Sequence, residues 1–385
     1  MWRSIASNAL TILIVLILAV GGLVTWAQEE YRGPGPLAQA ICLKVDRGTT
    51  MRKVSESLAS QGAIANGAIF RAGADYSGKS SLLKAGSFLV PEGTSMEAIV
   101  EIVTRGGQST CGTEVNFRIG IARSAIEVRQ LDPATNRFVE VAGFAPGTDE
   151  PVPEAYTAAR QEGDARYRVI LAEGVTSWQV VEELKTADFL KGEVASVPSE
   201  GSLAPDSYEV RPGDDRTTLL AAMETAQAKI LADAWAARAP DLPLKSPEEA
   251  LILASIIEKE TGVPQERRIV ASVFVNRLKQ GMKLQTDPTV IYGVTGGKGI
   301  LGRGLRQSEL RRETPWNTYV IPALPKTPIA NPGRLSIEAA LNPEETKLIF
   351  FVADGTGGHA FAATLEEHNA NVVKWRKIEA QTGNP

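Results

Sequence analysis

The longest apolar run opens the chain. Ala9 to Ala27, "ALTILIVLILAVGGLVTWA", carries no charge, and as a helix it can cross the roughly 30 Å of bilayer hydrocarbon. Arg3 precedes it and Glu29 and Glu30 follow. The positive-inside bias therefore places residues 1–8 in the cytoplasm and everything after the 9–27 span outside. A cleaved signal peptide is the competing reading, although the run exceeds a typical signal core. Residues 28–39, with Gly33-Pro34-Gly35-Pro36, read as a stalk.

A strand, glycine turn and capped helix then recur. "GTTMRKVSESL" (Gly48–Leu58), "GTSMEAIVEIV" (Gly93–Val103) and "GVTSWQVVEEL" (Gly174–Leu184) each place apolar residues four apart after a Ser/Thr cap. Short strands precede them at Cys42–Val45, Gly86–Val90 and Arg168–Ala172. The pattern predicts small α+β modules, serving either to bind glycan or to space the next domain. Residues 106–166 alternate like strands and end in a Pro/Gly-rich loop, which reads as a β-rich insertion. Residues 167–245 form a connecting α+β region with a helix over 219–239, and 246–385 form the densest domain.

That last domain starts with a capping signature, Ser246-Pro247-Glu248-Glu249. The helix it opens is apolar nearly all round, which predicts burial, and Gly262 is placed to stop it. Yet it ends "EKE". At about 100° per residue, Glu258 lies over Leu251, Ala254 and Ser255, as an ion-paired or solvated end residue would. Glu260 lies over Leu253, Ile256 and Ile257. A carboxyl against aliphatic side chains resists ionisation, the property a general acid needs. Beyond a second helix over 265–280 come Gln285, Thr286 and Asp287, which fit a polar cleft or an Asx-type turn. Six glycines over 293–304 read as a lid or a connection. Trp316, Asn317 and Tyr319 fit either sugar contact or a wrapped core, and His359, at the start of a hairpin strand, fits either substrate contact or structure.

Composition narrows the chemistry. Net charge is −4 with no dominant basic patch, which argues against a nucleic-acid partner. Two histidines and two cysteines give no metal-ligand spacing, and no Gly-rich nucleotide loop is present, so no metal or cofactor is expected. Outside a membrane, Cys42 and Cys111 are free either to pair or to remain buried thiols.

The stretch "LASIIEKETGVPQERRIVASVFVNRLKQGMKLQTDPTVIYG", with "WNTY", "ANPG", "FFVADGTGGHAF" and "EEHN" following in order, closely resembles the endolytic murein transglycosylases, the YceG-like or MltG family. "APDSYEV" at Ala204–Val210 is similar to an upstream family segment, with Ala204 where the family has Phe. The resemblance implies an α+β protein: one membrane anchor, a LysM-like module over 40–105, and a YceG-like catalytic core over 246–385. It implies cleavage of the MurNAc-β-1,4-GlcNAc bond within nascent peptidoglycan strands, leaving 1,6-anhydro ends and terminating elongation. Glu260 is the implied catalytic residue, beside Thr261. Gln285, Asp287, Asn317 and Tyr319 are the candidate substrate-binding residues, and Asp287 is the candidate second carboxylate if the enzyme is a muramidase instead. A non-catalytic wall-binding anchor is the other alternative. The implied location is the inner membrane with the catalytic domain periplasmic, and peptidoglycan synthases are the implied partners.

Overall fold

The computed structural model describes residues 2–105 and 110–382, so the first residues of the expected insertion, 106–109, and the last three of the core lie outside the described residues. Helix α1 spans Trp2–Arg32. It contains one stretch, Leu10–Arg32, long and apolar enough to cross a membrane. Helix thus continues beyond the apolar run into the expected stalk. Its end is packed rather than free: a Cβ on Gly73 would collide with the Tyr31 ring, so a glycine is needed there.

Contacts divide the chain into two compact units. The first comprises 1–115, 127–143 and 152–166. Strand β1 (Ile41–Val45), helices α2 (Met51–Ser60) and α3 (Gly67–Tyr76), strand β2 (Gly86–Val90) and helix α4 (Met96–Thr104) form its apolar heart. β1 and β2 pair antiparallel, Leu43 opposite Phe88. The caps read from sequence are present, with Thr50 accepting from the Lys53 amide and Ser95 from that of Ala98. Leu43, Leu58, Phe70 and Ile99 are fully buried between the pair and the helices. Cys42 and Cys111 are joined as a disulfide.

Strands β3 (Thr113–Ile119), β4 (Ala125–Asp132) and β5 (Arg137–Phe144) lie in this stretch, β4 alternating in burial and β3 buried almost throughout, and helix α5 (Glu154–Gln161) follows. Strands β6 (Arg166–Leu171) and β7 (Ser207–Val210) come next in the chain. β6 and β7 run antiparallel, Val169 opposite Tyr208.

The second unit holds 116–126, 144–151 and 167–385, so the connecting region and the expected core fall together. Helix α6 (Ser177–Thr186) carries a full capping box, Thr176 with Gln179, and α7 (Arg216–Ala236) is capped by Asp215. Helix α8 (Pro247–Glu260) is the axis of the unit. Against it pack α9 (Arg267–Lys279) and, later in the chain, α12 (Arg334–Leu341); α10 (Asp287–Thr295) and α11 (Gln307–Arg311) lie between them in sequence. The hairpin β8 (Phe350–Ala353) and β9 (His359–Ala362) and the helix α13 (Leu365–Thr382) complete the fold. Leu253, Ile256, Ile257, Val270, Phe274 and Ile337 are fully buried around the axis. Fully burying a side chain of this size contributes about 1.5–3 kcal/mol.

Two details at α8 differ from expectation. Ser246 caps Glu249 as read, but the Glu249 carboxylate reaches back one residue further, to the Lys245 amide at 2.6 Å. Thr261, in extended backbone, ends the helix one residue before Gly262.

Candidate active site

Three charges in succession leave the last turn of α8 in three directions. Glu258 turns inward, accepting from the Gly333 amide at 2.9 Å and facing Arg267 at 3.6 Å. Lys259 donates to the Gly174 carbonyl at 3.2 Å, and burial lowers its pKa. Glu260, its carboxyl buried, lines a cleft. The first two charges are thus bound into the fold.

Glu260 lines a cleft of about 550 Å³ together with Thr261, Gly262, His359 and Trp375. Its Oε2 accepts a 2.6 Å hydrogen bond from Thr286 Oγ1. Burial raises its pKa, and Asp287 pushes the same way; the Thr286 hydroxyl, His359 and Arg277 oppose. Burial dominates, so the neutral acid persists above the usual carboxyl range. The negative end of the α8 dipole acts in the same sense.

The turn before α10 brings Thr286 to this carboxyl. Gln285 takes φ +51°, a left-handed conformation rare for a side-chain-bearing residue, and its amide donates to the Thr318 carbonyl. That twist buries Thr286 and leaves Gln285 and Asp287 exposed. Thr318 Oγ1 accepts from the Thr286 amide at 3.1 Å, and it shares a 2.8 Å hydroxyl bond with Thr289. All three threonines are essentially inaccessible, so one hydroxyl ladder fixes the donor on Glu260.

His359 is held from the opposite side. Glu266 accepts from its backbone amide at 2.9 Å and meets its Nδ1 at 2.8 Å. Thr261 Oγ1 reaches the same carboxylate at 3.4 Å. Arg277 lies within the core of α9 and braces two walls at once, donating to the Ile349 carbonyl at 2.7 Å and the Leu284 carbonyl at 2.5 Å.

The expected substrate residues fall into two sets. Tyr319 donates to Asp287 at 2.7 Å; Asp287 acts on the Glu260 carboxyl and Glu260 acts on Tyr319, so these two share its surroundings. Burial, then Asp287, raises the Tyr319 pKa, so its hydroxyl stays protonated. Gln285 is exposed beside them. Asn317 is fully buried: its amide donates to the carbonyls of Glu309, Leu310 and Arg312, and its oxygen accepts from the Tyr319 amide. It braces the loop that carries Tyr319.

Sequence reasoning passed over Glu266, Arg277 and Trp375, and it named Thr286 only within a polar row, not among the site residues. A signal for Thr286 was present, because a turn that exposes 285 and 287 must turn 286 inward. Arg277 also left a trace: it stands three and four residues after Phe274 and Val273, on the apolar side of its helix.

The fold and site define a class, an α+β scaffold built round one buried helix that carries a buried carboxyl to a cleft. The chain belongs to the YceG-like family, whose model matches residues 144–374. It is similar to an endolytic murein transglycosylase of Bacillus subtilis, 42% identical over 34% of this chain and 35% of that protein. It is also similar to an endolytic murein transglycosylase of Streptococcus pneumoniae serotype 2, 24% identical over 87% of this chain and 58% of that one. The chain thus spans about a third to just over half of these relatives. A crystal structure of a YceG-like protein from Listeria monocytogenes aligns over 86% of this chain and 99% of that one, with 24% identity and a TM-score of 0.45.

Proposed function

We propose that this protein is an endolytic peptidoglycan lytic transglycosylase in which Glu260 serves first as acid and then as base. The observation that carries the reading is the Glu260 carboxyl, kept neutral by burial, held by Thr286 and opening on the cleft. Both named relatives carry the same activity in their names.

Glu260 gives its proton to the oxygen between MurNAc and GlcNAc as the C1–O bond breaks. Positive charge develops on the sugar, and the substrate's N-acetyl oxygen stabilises it. The ionised Glu260 then takes the proton of the muramic C6 hydroxyl, whose oxygen closes on C1 as a 1,6-anhydro ring. No water is consumed. The nucleophile belongs to the substrate, so proximity does the work a protein nucleophile would otherwise do. Thr286 steadies the carboxyl in both states, and the Glu266-held His359 ring favours the ionised one. Trp375 offers a face for a sugar ring, while Asp287, Tyr319 and Gln285 bind a neighbouring sugar. Asn317 positions Tyr319.

On this reading α1 is a single-pass anchor, with the cytoplasm at its N-terminus and the rest periplasmic. The paired strands and helices of 40–105 are a LysM-like glycan-binding module. Cutting within nascent strands would end their elongation beside the synthases that make them.

Mass spectrometry of muropeptides released by the full chain tests the reaction. Anhydro ends support the proposal. Products one water heavier would make the enzyme a muramidase, with Asp287 as the candidate second carboxylate.

A further inference from the structure

A second cleft, of about 470 Å³, lies between α7, α9 and α12. It is near the first in sequence: Thr261 and Gly262 line one, Pro264 and Arg267 the other. Gly262 and Pro264 are two residues apart, at most about 7 Å of chain. The two clefts flank one short turn.

The cationic groups of the second cleft are largely unspent. Arg334, exposed on its wall, makes no hydrogen bond or ion pair within bonding distance among the described residues. Arg268 uses only its Nε, on the Asn342 carbonyl at 2.9 Å, which leaves its terminal nitrogens open. Arg267 is 7% exposed; its Nη2 meets Glu173 and Glu258, but its buried Nε has no hydrogen-bond partner. A buried donor left unsatisfied is costly, so the Arg267 guanidinium is only partly compensated by its two carboxylates.

Of the wall carboxylates, Asp233 is neutralised by Lys229 at 2.7 Å. Glu338 has no cation within ion-pair distance among the described residues and would favour an ammonium beside the bound acid. Leu335, 52% exposed, and Ala339 add an apolar strip suited to methyl side chains.

We infer that this cleft binds the acidic stem peptide carried by the muramic acid in the catalytic cleft, with its carboxylates on Arg268 and Arg334. The inference rests on the proposed glycan reading. An extended five-residue peptide reaches up to about 17 Å, enough to pass round a turn of this size. Arginine suits the role because its planar fork matches a carboxylate.

The test titrates the full chain in detergent with a synthetic muramyl pentapeptide, and compares cleavage of peptide-bearing glycan with amidase-stripped glycan. Wild type should bind the peptide and cleave the peptide-bearing strand faster. Arg268→Ala with Arg334→Ala should weaken binding about tenfold and shrink that rate advantage similarly. Arg334→Lys should restore only part of it. Unchanged binding and an unchanged rate ratio in the double variant would overturn the inference, as would wild type that neither binds the peptide nor distinguishes the two glycans. Wild type that cuts neither glycan would count against the proposed function, and the peptide titration would still decide this site.

Discussion

At Glu260 two influences oppose each other: burial favours the neutral acid, and the Thr286 hydroxyl favours the ionised one. Thr286→Val removes the second, so the Glu260 pKa should rise further. On the proposed function the acid starts protonated, so the alkaline limb of the pH–rate profile should move upward, with a lower rate overall. A limb that stays in place would show that Thr286 does not tune the acid. Stability carries the same sign. A carboxyl whose folded pKa lies above its unfolded value costs nothing below the unfolded pKa, and stability declines as pH rises through the folded one. Glu260→Gln should therefore raise the melting temperature at neutral pH and change it little near pH 4. It should also abolish cleavage, by about a hundredfold or more. Equal melting shifts at both pH values would contradict the burial argument.

At the scale of elements, the site depends on segments held by side chains rather than by regular structure. Asn317 is the clearest, with three carbonyls and one amide satisfied by one side chain. Asn317→Ala should destabilise the protein on the order of 3 kcal/mol, since buried polar groups lose their partner. Denaturant unfolding measures this, and a loss near zero would mean the loop is braced elsewhere. Much of α8 was legible in sequence: the Ser246 cap, the apolar circumference and the two glutamates facing different neighbours all appear in the structure. Helix α10 was not, because Asp287-Pro288 signals both a turn and a first helical turn, and only packing decides between them. The same limit hid Glu266. Its partner His359 lies far along the chain, and no local pattern announces a contact of that kind. Trp375 falls in a helix that reads as polar, and only folding brings it to the cleft.

At the scale of the molecule, the two units are stabilised differently. The first, containing the small β1–β2 pair, is cross-linked by Cys42–Cys111 across 69 positions. Closing a loop of that length contributes about 4 kcal/mol in the chain-entropy account. Cys42→Ser with Cys111→Ser should lower the thermal stability of that unit; unchanged melting would show the bond to be dispensable. The second unit relies instead on the apolar shell of α8, and the same helix delivers the acid to the cleft. The proposed function turns on one proton transfer, so the most direct measurement is a carbon-13 titration of the Glu260 carboxyl in the full chain beside its pH–rate profile. The account predicts ionisation above the ordinary carboxyl range of about 4.3, coincident with the alkaline fall in turnover. Ionisation complete below that range, in an enzyme still most active near neutrality, would contradict it.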